Sequence, residues 1–153
     1  MKAPQQTTNA LESVIPLEAH LKAQYELNCR DLKYEGIDGL AKRIKAWEKD
    51  VCAWVKRLID ETIMLDGDPT YQISDLKQFG TITDLLEDAL QQETGLYDFY
   101  TKKAAALRDA GDEAEGHVFQ HFCKWHRGHI GDIEKELGLL ARAGETGYIA
   151  IRS

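Results

Sequence analysis

Two histidines three residues apart, His126 and His129, and two glutamates in other segments, Glu18 and Glu93, have the residue types and spacing to hold a metal ion. Imidazole nitrogen and carboxylate oxygen together suit iron(II) and zinc. In a helix bundle, a carboxylate-bridged metal pair draws one glutamate from each of two helices and a Glu-x-x-His pair from each of the other two. Glu18, Glu93 and the His126/His129 pair fill three of those four contributions, the last as His-x-x-His. The remaining segment offers Val51 and Trp54 where Glu-x-x-His is wanted. Each group also has a plainer use. Glu18 can pair with Lys22 on a helix surface, and Glu93 can sit at the edge of an apolar stripe. His117 and His121 form a separate i, i+4 pair on a largely different face from His126 and His129.

Four helices must position these groups. The first is expected from about Ala10 to Tyr34, with Pro16 starting or kinking it. Glu35-Gly36-Ile37-Asp38 reads as a tight turn, with Asp38 as N-cap. The second helix is expected from about Gly39 to Leu65, stopped by Asp66-Gly67-Asp68-Pro69. The third starts at Thr81 or Thr83 and runs to Ala110. The fourth runs from Asp112 to Ala143, ends at Gly144, and is followed by a short helical tail around Tyr148–Ile151. Two short turns and one long link specify an all-α, four-helix bundle with one long crossover and a short C-terminal helix. Trp47, Val51, Trp54 and Leu58 make an apolar stripe on the second helix, read as core. Asp50 and Glu48 fall away from that stripe. Residues 1–153 form a single domain, with 1–9 expected to be flexible.

Composition narrows the function classes. The net charge is −7 and the pI about 5.2, so nucleic acid is not an expected partner. No apolar run approaches the roughly 20 residues that span a bilayer, and MKAPQQTTNA has no signal-peptide core. The expectation is a cytoplasmic protein without a membrane partner. Cys29, Cys52 and Cys123 are irregularly spaced and are expected to be free thiols.

These landmarks resemble the bacterioferritins, the haem-containing cage members of the ferritin-like superfamily. The resemblance is carried by Glu18, Gln24, Tyr25, Leu27, Gly36, Leu40, Leu65-x-Gly67-x-Pro69, Glu93, Gly128-His129-Ile130 and Gly144-x-x-x-Tyr148. It covers nearly the whole chain. It implies a di-iron ferroxidase centre to which Glu18, Glu93 and His129 match directly. His126 stands where a bridging glutamate is expected, and Val51 and Trp54 replace the helix-two ligands. It also implies haem held by a helix-two methionine, whose position here is Cys52.

The expected function is therefore iron storage or homeostasis. The metal site would be remodelled and mononuclear, holding iron or zinc through Glu18, Glu93, His126 and His129, with Tyr25, Trp54 and Tyr97 around it. Loss of the helix-two ligands predicts impaired ferroxidase activity. The alternative is a non-catalytic bundle that self-associates into dimers or cages, alone or with a catalytic ferritin-like paralogue. A third reading is a diverged redox or small-ligand enzyme on the same scaffold.

Overall fold

A computed structural model describes residues 4–153. It contains four helices, α1 (Gln5–Tyr34), α2 (Asp38–Met64), α3 (Ile82–Asp109) and α4 (Glu113–Arg152). At 1.5 Å per residue, a 30-residue helix such as α1 is about 45 Å long. The short turns pair α1 with α2 and α3 with α4 as hairpins, and the hairpins meet through α1 against α3 and α2 against α4. The crossover between α2 and α3 is long enough to return along the bundle. This is the expected ferritin-like topology.

The helix ends explain the boundaries. Gly36, at φ +79°, lets α1 close with Gly36 N–H donating to the Lys33 carbonyl and Ile37 N–H to that of Leu32. Those two bonds satisfy carbonyls that a helix end leaves open. Gly111, at φ +86°, does the same for α3 through the carbonyls of Arg108 and Leu107. Thr81 and Asp112 cap α3 and α4 by accepting from the backbone N–H of Asp84 and Glu115. Asp38, expected as a cap, is instead the first residue of α2, preceded by Ile37.

The first helix differs most from expectation. It begins at Gln5 and passes through Pro16. Residues 5–9, expected to be flexible, are helical. Thr7 and Thr8 are buried, and the Thr7 hydroxyl donates to Asp112 at 2.6 Å. Residues 1–3 lie outside the described part of the chain.

The crossover is tied down along α1. Gln24 donates to the Lys77 carbonyl and accepts from its N–H, at 2.8 and 3.0 Å, and Glu12 accepts from the N–H of Asp68. Gly144, at φ +71° and ψ 168°, interrupts α4. The last turns fold back, and Tyr148 is fully buried. Leu11, Ile15, Leu21, Leu40, Ile44, Leu58, Leu86, Phe119 and Phe122 fill the core. No helix among the described residues is long and apolar enough to cross a membrane.

Candidate metal centre

The fold brings Glu18, Glu93, His126 and His129 together at the centre of the bundle. All four are buried. A surface pair between Glu18 and Lys22 is thereby excluded. His126 lies between the two carboxylates, with Nδ1 at 2.6 Å from Glu93 Oε2 and Nε2 at 2.7 Å from Glu18 Oε2. His129 Nδ1 is 2.8 Å from Glu93 Oε1. Its Nε2 is 2.9 Å from Asp50 Oδ2, at the half-exposed edge of the cluster.

Each imidazole therefore faces carboxylate oxygen on both nitrogens. With the carboxylates ionised, a ring can make both bonds only by donating twice, as the imidazolium. Burial alone would lower the His126 pKa, but the carboxylates of Glu18 and Glu93 overcome it and raise the group to about 10. Burial would likewise raise Glu93, but hydrogen bonds and charge from the two histidines bring it down to about 2. His129 is also raised: burial opposes this, while Glu93 and Asp50 favour it and the charge of His126 works against it.

Two tyrosines complete the network. Tyr25 donates to Glu93 Oε1 and Tyr100 to Glu18 Oε2, both at 2.7 Å. Burial, and then the neighbouring carboxylates, raise both phenols well above their ordinary range, so both stay protonated donors. Tyr100 also stacks on His126 with ring centroids 5.6 Å apart.

The second helix behaves only partly as expected. Trp47, Val51 and Leu58 are buried core residues. The Trp54 indole lies 4.8 Å from both imidazoles, centroid to centroid. Trp125 stacks on its other side at 5.5 Å. Asp50, however, does reach the site, so this helix supplies one carboxylate after all. It stands one residue before Val51, at the flank of the apolar stripe, where wheel position alone placed it outside.

Tyr97 also needs correction. It is half-buried and lines a groove with Arg127, Ile130 and Glu134. Tyr100, seven residues after Glu93 and so on the same helical face, is the tyrosine that reaches the cluster. Cys29, Cys52 and Cys123 are free thiols; Cys29 is buried, while Cys52, next to Val51, and Cys123 are half-buried.

A family model for the ferritin-like domain matches residues 8–143. The chain belongs to the ferritin family. A bacterioferritin of Brucella melitensis is 28% identical over 149 residues, covering 97% of this chain and 92% of the relative. One of Streptomyces coelicolor is 26% identical over 137 residues, covering 88% and 82%. Among solved structures, a Rhodobacter capsulatus bacterioferritin described with a metal-free dinuclear site and a haem iron superposes with a TM-score of 0.96 at 20% identity, covering 100% of this chain and 96% of that one. Mycobacterium tuberculosis bacterioferritin BfrA gives 0.93 at 23% identity, covering 98% and 95%. At these identities the superpositions establish the ferritin fold.

The centre of this family member does not fit a metal ion in its present arrangement. Among the described residues, no three His, Cys, Asp or Glu side chains surround a point that would hold one. Both nitrogens of His126 are committed to carboxylates, and an imidazolium has no lone pair to give a metal. One atom stands apart: Glu18 Oε1 is buried without a hydrogen-bond partner.

Proposed function

We propose that this chain is a bacterioferritin-like subunit of an iron-storing assembly whose bundle centre is an ion-paired core that does not oxidise iron. The observation that carries this is His126 bridging Glu18 and Glu93 through both nitrogens. The histidine occupies the position between two carboxylates that a cation would occupy. Trp54 packs against both imidazoles, and Val51 leaves no bridging group from α2. Three carboxylates and two imidazolium rings nearly balance in charge without any metal, which removes the main force that would draw iron(II) in.

Self-association follows from the same reading. Leu17 on α1 and Tyr71, Ile73 and Leu76 on the crossover are large apolar side chains at 40% or more exposure. A subunit that assembles has a use for them. A catalytic ferritin-like paralogue in the same assembly would supply iron oxidation. Haem at Cys52 would require its thiolate as axial ligand, with a second chain opposite it.

The test is iron(II) oxidation by the purified protein, alongside its assembly size. Oxidation at the background rate by an assembled protein is expected. Oxidation well above background, lost in His129→Ala, would overturn the reading. A mononuclear site at Glu18, Glu93, His126 and His129 is the second reading, and the orphaned Glu18 Oε1 favours it. It requires His126 to release one carboxylate and a proton. Elemental analysis separates the two: about one iron or zinc per chain, lost in His129→Ala, supports the mononuclear site.

A further inference from the structure

Helix α4 carries a second histidine pair, remote in character from the first. His117 and His121 are four residues apart, both exposed, on the side of α4 facing away from the core. Their ring centroids are 5.8 Å apart and the rings stand at 80° to each other. Neither ring has a hydrogen bond or an ion pair among the described residues. The other aromatic neighbour is Trp125, 6.1 Å from His121. Glu113 is exposed one turn before His117 on the same stripe, and adds negative charge. Lys124 is exposed one turn after His121.

The contrast with His126 is chemical. There, every ring nitrogen is bound to a carboxylate. Here, no ring nitrogen is engaged by a hydrogen bond or an ion pair among the described residues, and both histidines face solvent. Two histidines one helical turn apart present nitrogens to a single ion, the arrangement used by helical zinc sites. Metal–nitrogen bonds of about 2.0 Å would be reached by small rotations of side chains that nothing else holds. His117 lies in the second turn of α4, beyond the region where the helix dipole acts strongly against a cation.

We propose that His117 and His121 chelate a divalent ion of the borderline class (zinc, nickel or copper(II)) on the outward face of α4, with water completing its coordination. The site is independent of the bundle centre and of whether that centre holds iron. Its consequence is that the imidazoles of His117 and His121 are open to an ion at the surface, while those of His126 and His129 are engaged by carboxylates in the core.

The experiment is calorimetric titration of the full-length protein with zinc alone, repeated for His117→Ala, His121→Ala and the double variant. Both positions are exposed, so folding should survive, and circular dichroism checks this. Saturable uptake of one zinc per chain is expected. Each single variant should bind about tenfold or more weakly, the scale of loss when even an outer partner of a metal ligand is removed. The double variant should take up none, and its melting temperature should no longer rise with zinc. No uptake by the parent protein would overturn the proposal. So would uptake that survives in the double variant; if His129→Ala then removed it, the ion would belong to the bundle centre instead.

Discussion

Two buried charge clusters hold this bundle, one at its centre and one where the C-terminal turns fold back. At the centre, Glu18 and Glu93 are neutralised by His126 and His129. At the end, Glu136 accepts from Tyr148 at 2.7 Å and from Arg152 at 2.8 and 3.0 Å, with Arg43 at 3.7 Å. Burial would raise the Glu136 carboxyl, but Arg152 and Tyr148 hold it below its ordinary range. The geometry is similar, carboxylate plus tyrosine plus cation. The cation differs. Arginine is charged at every accessible pH, whereas histidine is charged only where its surroundings hold the proton. A ferritin fold can thus close a buried acidic site with a permanent cation or a conditional one, and only the conditional one could be exchanged for a metal.

The comparison is broken most severely by His126→Ala. It leaves the buried Glu18 carboxylate without a counter-charge and Glu93 with only His129, so a loss of about 3–5 kcal/mol is expected in chemical denaturation. A loss below about 1 kcal/mol would show that the carboxylates are neutral or hydrated. At the bundle end, Glu136→Gln should cost less, about 1–3 kcal/mol. It keeps the side-chain volume, and Arg152 and Arg43 are near enough to solvent to be rehydrated.

The pH dependence sharpens the difference between the clusters. His126 moves from an ordinary 6.5 to about 10 in the folded chain. A raised pKa means that its contribution is complete below 6.5 and is lost as pH rises through 10. Glu93, lowered from 4.5 to about 2, contributes fully above 4.5 and is lost as pH falls through 2. Denaturation at pH 6 and pH 9.5 should therefore show a clear alkaline loss of stability. In His126→Gln that loss should shrink, while Glu136→Gln should keep it. Asp50→Asn is the smallest effect, within about 1 kcal/mol because Asp50 is half-exposed. It should nevertheless lower the His129 pKa, visible in a proton NMR titration of the ring.

How much of this was legible is uneven. The helices, both tight turns and the crossover follow from apolar periodicity, Gly36, Gly111 and the Asp66–Pro69 stop, all of which act locally. The convergence of Glu18, Glu93, His126 and His129 was also readable, because each lies at a matching depth on its helix. Tyr100 was within reach, two turns from Glu93 on one face. Asp50 was not. Its wheel position points it beside the Val51 stripe, and only the packing of α2 against α4 brings His129 to it.

The sequence by itself determined the four-helix topology and offered four ionisable side chains at matching depth, because helix periodicity and loop length are properties of neighbours along the chain. Only the tertiary structure decided what those four do. Whether a histidine between two glutamates offers lone pairs or donates protons depends on distances of 2.6 and 2.7 Å across three helices. It depends also on the exclusion of water, which makes an unpaired buried carboxylate costly and a nearby proton the closest remedy.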